Sequence, residues 1–247
     1  MRFLLFTYYA PMGAMGDIAP GERRMAFSRP ARSAVLGLVG AALGLRRDDP
    51  AHADLERGLG YAVRIDSPGR PFTDYHTTQT PQQRRGKAFA TRREELAADT
   101  LNTVLSVREW RSDALYTIAL WVRAGAAIGL DEIAAALTHP RFVLYGGRKA
   151  GPLGLPLAPR FVNADGLLQA LAADPVPAEQ RQIIEHVLRC ARPRDWGGGA
   201  EIAFDLDGEI PDKAGHVETR RDAVVARARF QFGERREGVV SLGTRDE

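Results

Sequence analysis

Tyr145, Gly146, Gly147, Arg148 and Lys149 form the group in this 247-residue chain best suited to holding a polyanion. The aromatic ring can stack on a base, the two glycines let a phosphate approach the backbone, and the two cations neutralise it. Arg108, Trp110 and Arg111 repeat the aromatic–basic composition, although Trp110 suits a core position equally well. Arg29, Arg32 and Ser33 fall where a helix should begin, and there free backbone N–H groups and the helix dipole favour phosphate. His76, between Asp74-Tyr75 and Thr77-Thr78, is the histidine best placed to act as a general base on an RNA 2′-hydroxyl. Without an identified acid partner it reads first as a hydrogen-bonding or RNA-contacting residue.

Other chemistries find less support. His52, His139, His186 and His216 show no metal-ligand spacing, and the lone Cys190 rules out a disulfide framework or a cysteine-cluster zinc site, so neither metal nor cofactor is expected. Gly37, Gly40 and Gly44 lie inside an apolar helical run rather than in a turn after a strand. They are therefore expected to let a helix pack closely on a sheet, not to cradle a nucleotide. Asp205, Asp207 and Glu209 alternate as the solvent face of a strand would.

Charge is segregated. Residues 23–47, 76–93 and 139–160 contain fifteen of the 34 basic residues and none of the 31 acids. The middle window includes Arg84, Arg85 and Lys87. Such separation favours a polyanionic partner bound on one face. No run of 18 apolar residues and no signal-peptide pattern is present, so the expected location is the cytoplasm, away from membranes.

The elements that must position these groups follow from periodicity and punctuation. Arg2 to Tyr9 reads as a buried strand, and a helix runs from Pro30, with Ser28 as its cap, to about Leu45. Tyr61–Asp66 and Phe72–His76 read as strands, and 77–93 as a projecting loop or hairpin. Thr103–Arg111 and Ala114–Val122 read as a core hairpin about a Ser-Asp turn. Leu130–Leu137 is helical, Arg141–Tyr145 extended and Ala164–Ala173 helical. A further helix (Glu179–Arg189), a Gly197–Gly199 linker, strand-like Glu201–Leu206 and a basic segment from Arg220 to Arg236 follow. The expected class is α+β, with a ferredoxin-like βαββαβ core over 1–175 and a variable helix plus a smaller C-terminal β-rich region over 176–247.

Taken together, the blocks resemble a known family. The blocks are Ala10-Pro11-Met12-Gly13-Ala14-Met15-Gly16, Arg29 to Gly44 running into Arg46-Arg47-Asp48-Asp49, Asp74-Tyr75-His76-Thr77, Arg108-Glu109-Trp110, Asp113 to Trp121, and Pro140 to Lys149 with Pro152-Leu153. In this order they are similar to the CasD family of type I-E CRISPR Cascade, within the RAMP superfamily of RNA-binding proteins. The resemblance implies a non-catalytic subunit of an antiviral surveillance complex that caps the 5′ handle of crRNA. It also implies a thumb at about 77–107 against the crRNA and the adjacent backbone subunit, a large subunit as a further neighbour, and target DNA met only through the complex. Relatives in type I-C cut the repeat, so a metal-independent endoribonuclease using His76 is the alternative. Residues 176–196 look like an insertion with no assigned contact.

Overall fold

The computed structural model describes residues 1–16, 21–82, 88–173, 176–187, 200–206 and 210–241. Its framework is one large sheet. Strands β1 (Arg2–Gly13), β3 (Leu59–Ser67), β5 (Leu101–Val122), β6 (Arg160–Asn163), β7 (Glu201–Asp205), β8 (His216–Ala226) and β9 (Gln231–Ser241) lie in the order β6-β1-β5-β3-β7-β9-β8, each antiparallel to its neighbour. The short β2 (Arg23–Arg24) and the long β4 (Arg70–Pro81) pair with the first half of β5. β7 pairs with β3, so the strands beyond residue 200 extend the same sheet.

Helices cover both faces, which explains why β1 is apolar at successive positions instead of alternating. Leu4, Phe6, Tyr8 and Ala10 point into a core shared with α1 (Arg32–Leu43), α2 (Ala51–Gly58) and α4 (Leu130–Thr138). Phe3 and Leu5 point the other way, against Leu167, Ala170 and Leu171 of α5 (Leu167–Ala173) and against Trp121 and Phe204. Each fully buried Leu or Phe contributes about 1.5–3 kcal/mol through apolar burial, so these alternating contacts fix the register of β1.

Several local expectations change. β5 is a single 22-residue strand, not a hairpin. Asp113 takes a left-handed φ of 56°, yet the ladder to β1 continues on both sides of it, with Met12 opposite Ser112 and Ala10 opposite Ala114. Asp113 thus bends the strand without reversing it, its carboxylate accepting from the Tyr9 hydroxyl at 3.3 Å. The hairpin forms instead between β4 and β5, from Arg70 opposite Ser112 to Pro81 opposite Leu101. Near its tip lies α3 (Arg92–Leu96), capped by the Thr91 side chain. Arg141–Tyr145 is not a strand; the strand added beside β1 is β6.

Helix α2, which starts directly after Pro50, was not expected from the sequence, and it changes the meaning of the glycines of α1. A Cβ on Gly40 would stand 2.4 Å from the His52 Cε1, so Gly40 makes room for the α2 imidazole rather than for the sheet. Gly37 faces Arg227, and Gly44, at φ 85°, ends α1. A helix at Ala178–Val187, α6, matches the expected one.

His52 is buried, and burial first, then the Arg227 charge, lowers its pKa below the ordinary 6.5, against the opposing influences of the Arg46 carbonyl, Asp49 and Glu56. The unfolded chain therefore takes up this proton before the folded one does. The stability contributed by neutral His52 is complete above about pH 6.5 and is lost as pH falls from there toward the lower folded value. Urea midpoints should drop between pH 7.5 and 5.5, and His52→Gln should flatten that slope.

Candidate nucleic-acid interface

The Gly-Gly-Arg-Lys loop is rigid by construction. Gly146 N–H donates to the Gly151 carbonyl at 2.6 Å and Gly151 N–H to the Arg148 carbonyl at 2.9 Å, closing the loop on itself. Ala14 N–H donates to the Gly146 carbonyl at 2.9 Å, fastening the loop to the chain just beyond β1. Gly147 has φ 83°, and a Cβ there would lie 1.9 Å from the Ala14 carbonyl oxygen, so this position requires glycine for both conformation and space.

That attachment sets Arg148 against β5. Its guanidinium lies 4.7 Å from the centre of the Trp110 ring, and it donates to the carbonyls of Glu109 (3.3 Å) and Arg24 (3.5 Å). Trp110 is itself buried and stacked on Phe72 across the β4–β5 ladder. Burial, followed by the charges of Arg108 and Arg24, pushes the Arg148 guanidinium below its ordinary pKa, with Asp74 opposing. Three guanidiniums converge here, and among the described residues none of the three has a carboxylate within ion-pair distance. Lys149 and Tyr145 are exposed beside them. Clustered like charges raise the energy of the empty surface, and a phosphate would relieve it.

Residues two apart on a strand share a face, so Arg108 and Trp110 line up with Phe72, Asp74 and His76 opposite. His76 is exposed, and its Nδ1 lies 3.1 Å from the Asp74 carboxylate. Arg111 serves the fold, donating to the carbonyls of Phe27 (2.7 Å) and Pro68 (2.9 Å). Arg84, Arg85 and Lys87 lie outside the described residues, as do Asp207, Glu209 and Cys190. Arg24 and Phe72 are additions to the sequence-derived set; the Arg23-Arg24 pair in the first basic window was the available signal for Arg24.

Arg29 and Arg32 do not join this cluster. Arg29 is buried among Glu201 (3.0 Å), Glu218 (2.5 Å) and Glu237 (2.5 Å), and Arg32 holds Asp205 (2.9 Å) and Glu56 (2.5 Å). The start of α1 is already occupied by an anion, since Arg32 N–H donates to the Asp222 carboxylate at 2.8 Å. Ser33 lies in the same first turn and gives its carbonyl to Arg227. Asp205, expected at a solvent face, is buried and also receives Arg123 (2.7 Å) and Arg235 (2.9 Å). Burial raises the Asp205 pKa, and the surrounding guanidiniums oppose the rise. For Asp222 burial acts upward too, but hydrogen bonds from Arg235 outweigh it and hold the carboxyl low.

The model of the CRISPR-associated protein family Cas_Cas5 matches residues 3–239. The chain belongs to the Cas5 family. Within that family, the CRISPR system Cascade subunit CasD of Escherichia coli strain K12 is 31% identical over 156 residues, covering 63% of this chain and 69% of that protein. A chain of a solved CRISPR RNA-guided surveillance complex shares the fold at a TM-score of 0.63, with 22% identity, 98% of this chain and 90% of the other covered. A crystal structure of a Cas protein aligns at 0.59, with 20% identity and coverages of 98% and 95%. In this Cas5-family chain, then, the basic windows separate by burial. Arg29 and Arg32 of the first belong to the interior, whereas Arg24 of the first and Arg148 of the third meet Arg108, with exposed Lys149 next to Arg148 in the chain. Among the described residues no helix is long and apolar enough to cross a membrane.

Proposed function

We propose that this chain is a non-catalytic subunit of a type I-E Cascade-like complex that grips the 5′ handle of crRNA through the Arg24–Arg108–Arg148 cluster, Lys149 and Tyr145. The observation that carries the reading is the convergence of three guanidiniums, Arg24 of β2, Arg108 of β5 and Arg148 of the loop fastened beside them, none in an ion pair with a carboxylate among the described residues. Cations fixed in this way position a backbone, and an exposed tyrosine beside them supplies a stacking surface.

The strand order β6-β1-β5-β3, with α1 between β1 and β3 and α4 between β5 and β6, supports a ferredoxin-like core. The β4–β5 hairpin is our candidate for the thumb that packs on crRNA and the adjacent backbone subunit, and the strands beyond residue 200 are a candidate surface for neighbours such as the large subunit. Contact with target DNA would then be indirect.

The Asp74–His76 contact favours a second reading, a repeat-cleaving ribonuclease in which the carboxylate orients the imidazole as a base. Incubating the purified chain with CRISPR repeat RNA in EDTA separates the two. We expect intact RNA, with crRNA co-purifying with the assembled complex. Specific cleavage that His76→Ala abolishes would overturn the non-catalytic assignment.

A further inference from the structure

Helix α4 departs from the pattern of a surface helix. Outward positions ordinarily carry polar side chains, yet after Glu132 it reads Ile133-Ala134-Ala135-Ala136-Leu137, and Ala135 is exposed. Helix α1 packs against both α2 and α4, which leaves a valley between those two. Ala42, Leu43 and Leu45, at and just beyond the end of α1, form its floor, with Leu55 of α2 and Ile128 beside them. Leu43, Leu45 and Ile128 are only partly buried against the core below. The valley has a volume of about 550 Å³.

The charges around this apolar floor are sorted. Asp54 of α2 and Glu132, in the first turn of α4, stand on the two walls, whereas His139 and Arg141 lie at the far end of α4. Glu132 and Arg141 are exposed and in no ion pair among the described residues, and Asp54 is held by the exposed Arg57 at 2.6 Å. Arg141 is fixed in place, since its N–H donates to the Ala42 carbonyl at 2.9 Å. Gly44 makes room for it, because a Cβ there would stand 2.6 Å from the Arg141 Cδ. Carboxylates on both walls repel phosphate, so the valley does not suit the RNA that the Arg24–Arg108–Arg148 cluster would hold. An apolar valley between two helices, with unpaired charges of opposite sign at its ends, matches an amphipathic helix whose side chains at i, i+3 or i+4 and i+7 enter it.

We propose that this valley docks an amphipathic helix of another protein subunit, with apolar side chains on the α1 floor, a lysine or arginine facing Asp54 and Glu132, and a carboxylate facing Arg141. This rests on the reading of the chain as a subunit of a larger complex. It adds a protein-binding face separate from the phosphate grip, the β4–β5 hairpin and the strands beyond residue 200.

The test uses the assembled complex, with the photo-cross-linker p-benzoylphenylalanine in place of Ala135 of this chain. Irradiation should join position 135 to one helical segment of another protein subunit, identified by mass spectrometry after digestion. The same cross-linker in place of Ala53, exposed on α2 outside the valley, should give no such product. Adding Glu132→Arg should lower the yield about fivefold, the size of a charge pair at an interface rim, and changing the partner's facing cation to a carboxylate should restore it. Damage to the fold alone would not be rescued in this way. No product from position 135, an equal product from position 53, a product with crRNA or with a second copy of this chain, or a yield unmoved by Glu132→Arg would overturn the helix dock. Co-purifying crRNA and subunits would in each of these cases leave the complex reading standing. If no other subunit co-purifies with the unsubstituted chain, the complex reading itself falls.

Discussion

Replacing Arg108, Arg148 and Lys149 together by Glu should weaken RNA binding by about a hundredfold or more near 0.1 M salt without unfolding the chain. Each replaced cation removes one phosphate contact and installs a repulsive charge. For single strands each contact contributes roughly 0.7 to the slope of log affinity against log salt, so the slope should fall by about 2. Fluorescence anisotropy across a salt series measures both quantities. The fold should persist because none of the three is in an ion pair with a described carboxylate, and the loop is closed by backbone hydrogen bonds. Arg148 does cover Trp110, so a modest stability change is expected from that contact, on the order of 1 kcal/mol. An unchanged salt slope, or normal crRNA content in complexes assembled with the variant, would refute the assigned grip.

Arg29→Ala and Arg32→Ala should behave in the opposite way, each costing about 3–5 kcal/mol of folding stability. Removing one partner from a buried ion pair leaves the others uncompensated. Without Arg29, the almost fully buried Glu237 keeps Arg235 at 2.7 Å but loses its 2.5 Å partner. Without Arg32, Asp205 loses a 2.9 Å partner, and Arg32's further hydrogen bonds to the Glu56 and Leu59 carbonyls disappear. These contacts join the start of α1 to β7, β8 and β9, so the truncations should loosen the C-terminal strands first. Urea denaturation of the two variants beside Arg148→Ala makes the comparison. A large loss for Arg29→Ala or Arg32→Ala and a small one for Arg148→Ala is expected, and equal losses would show that burial had not separated their roles.

Local signals in the sequence were good guides to local structure. The apolar run of β1, the helix after Pro30, the strand at Tyr61–Asp66 and the helices near 130, 167 and 179 all occur close to their expected places. Each depends on a neighbour within a few residues, a proline or a hydrophobic period, whereas the cap expected from Ser28 does not form: Ala31 stands at the N-cap of α1 without a side-chain hydrogen bond. The errors arose where a residue's neighbours are distant in sequence. Asp113 resembles a turn residue, but β1 pairs across it on both sides and holds the strand straight enough to continue. Arg141–Tyr145 has strand-forming residues, but the place beside β1 is taken by β6.

Charge followed the same division. Counting acids within a window sees only near neighbours, and by that measure Arg29 and Arg32 seemed unpaired. Their carboxylates come from residues 56, 201, 205, 218 and 237, brought in by α2, β7, β8 and β9. By itself the sequence determined that the basic residues are segregated into acid-free windows along the chain, and it identified a Gly-Gly-Arg-Lys loop whose glycines and cations are defined within five residues. Only the tertiary structure decided which arginines form a positive surface, because a guanidinium is available to a phosphate only where the fold brings no carboxylate to it.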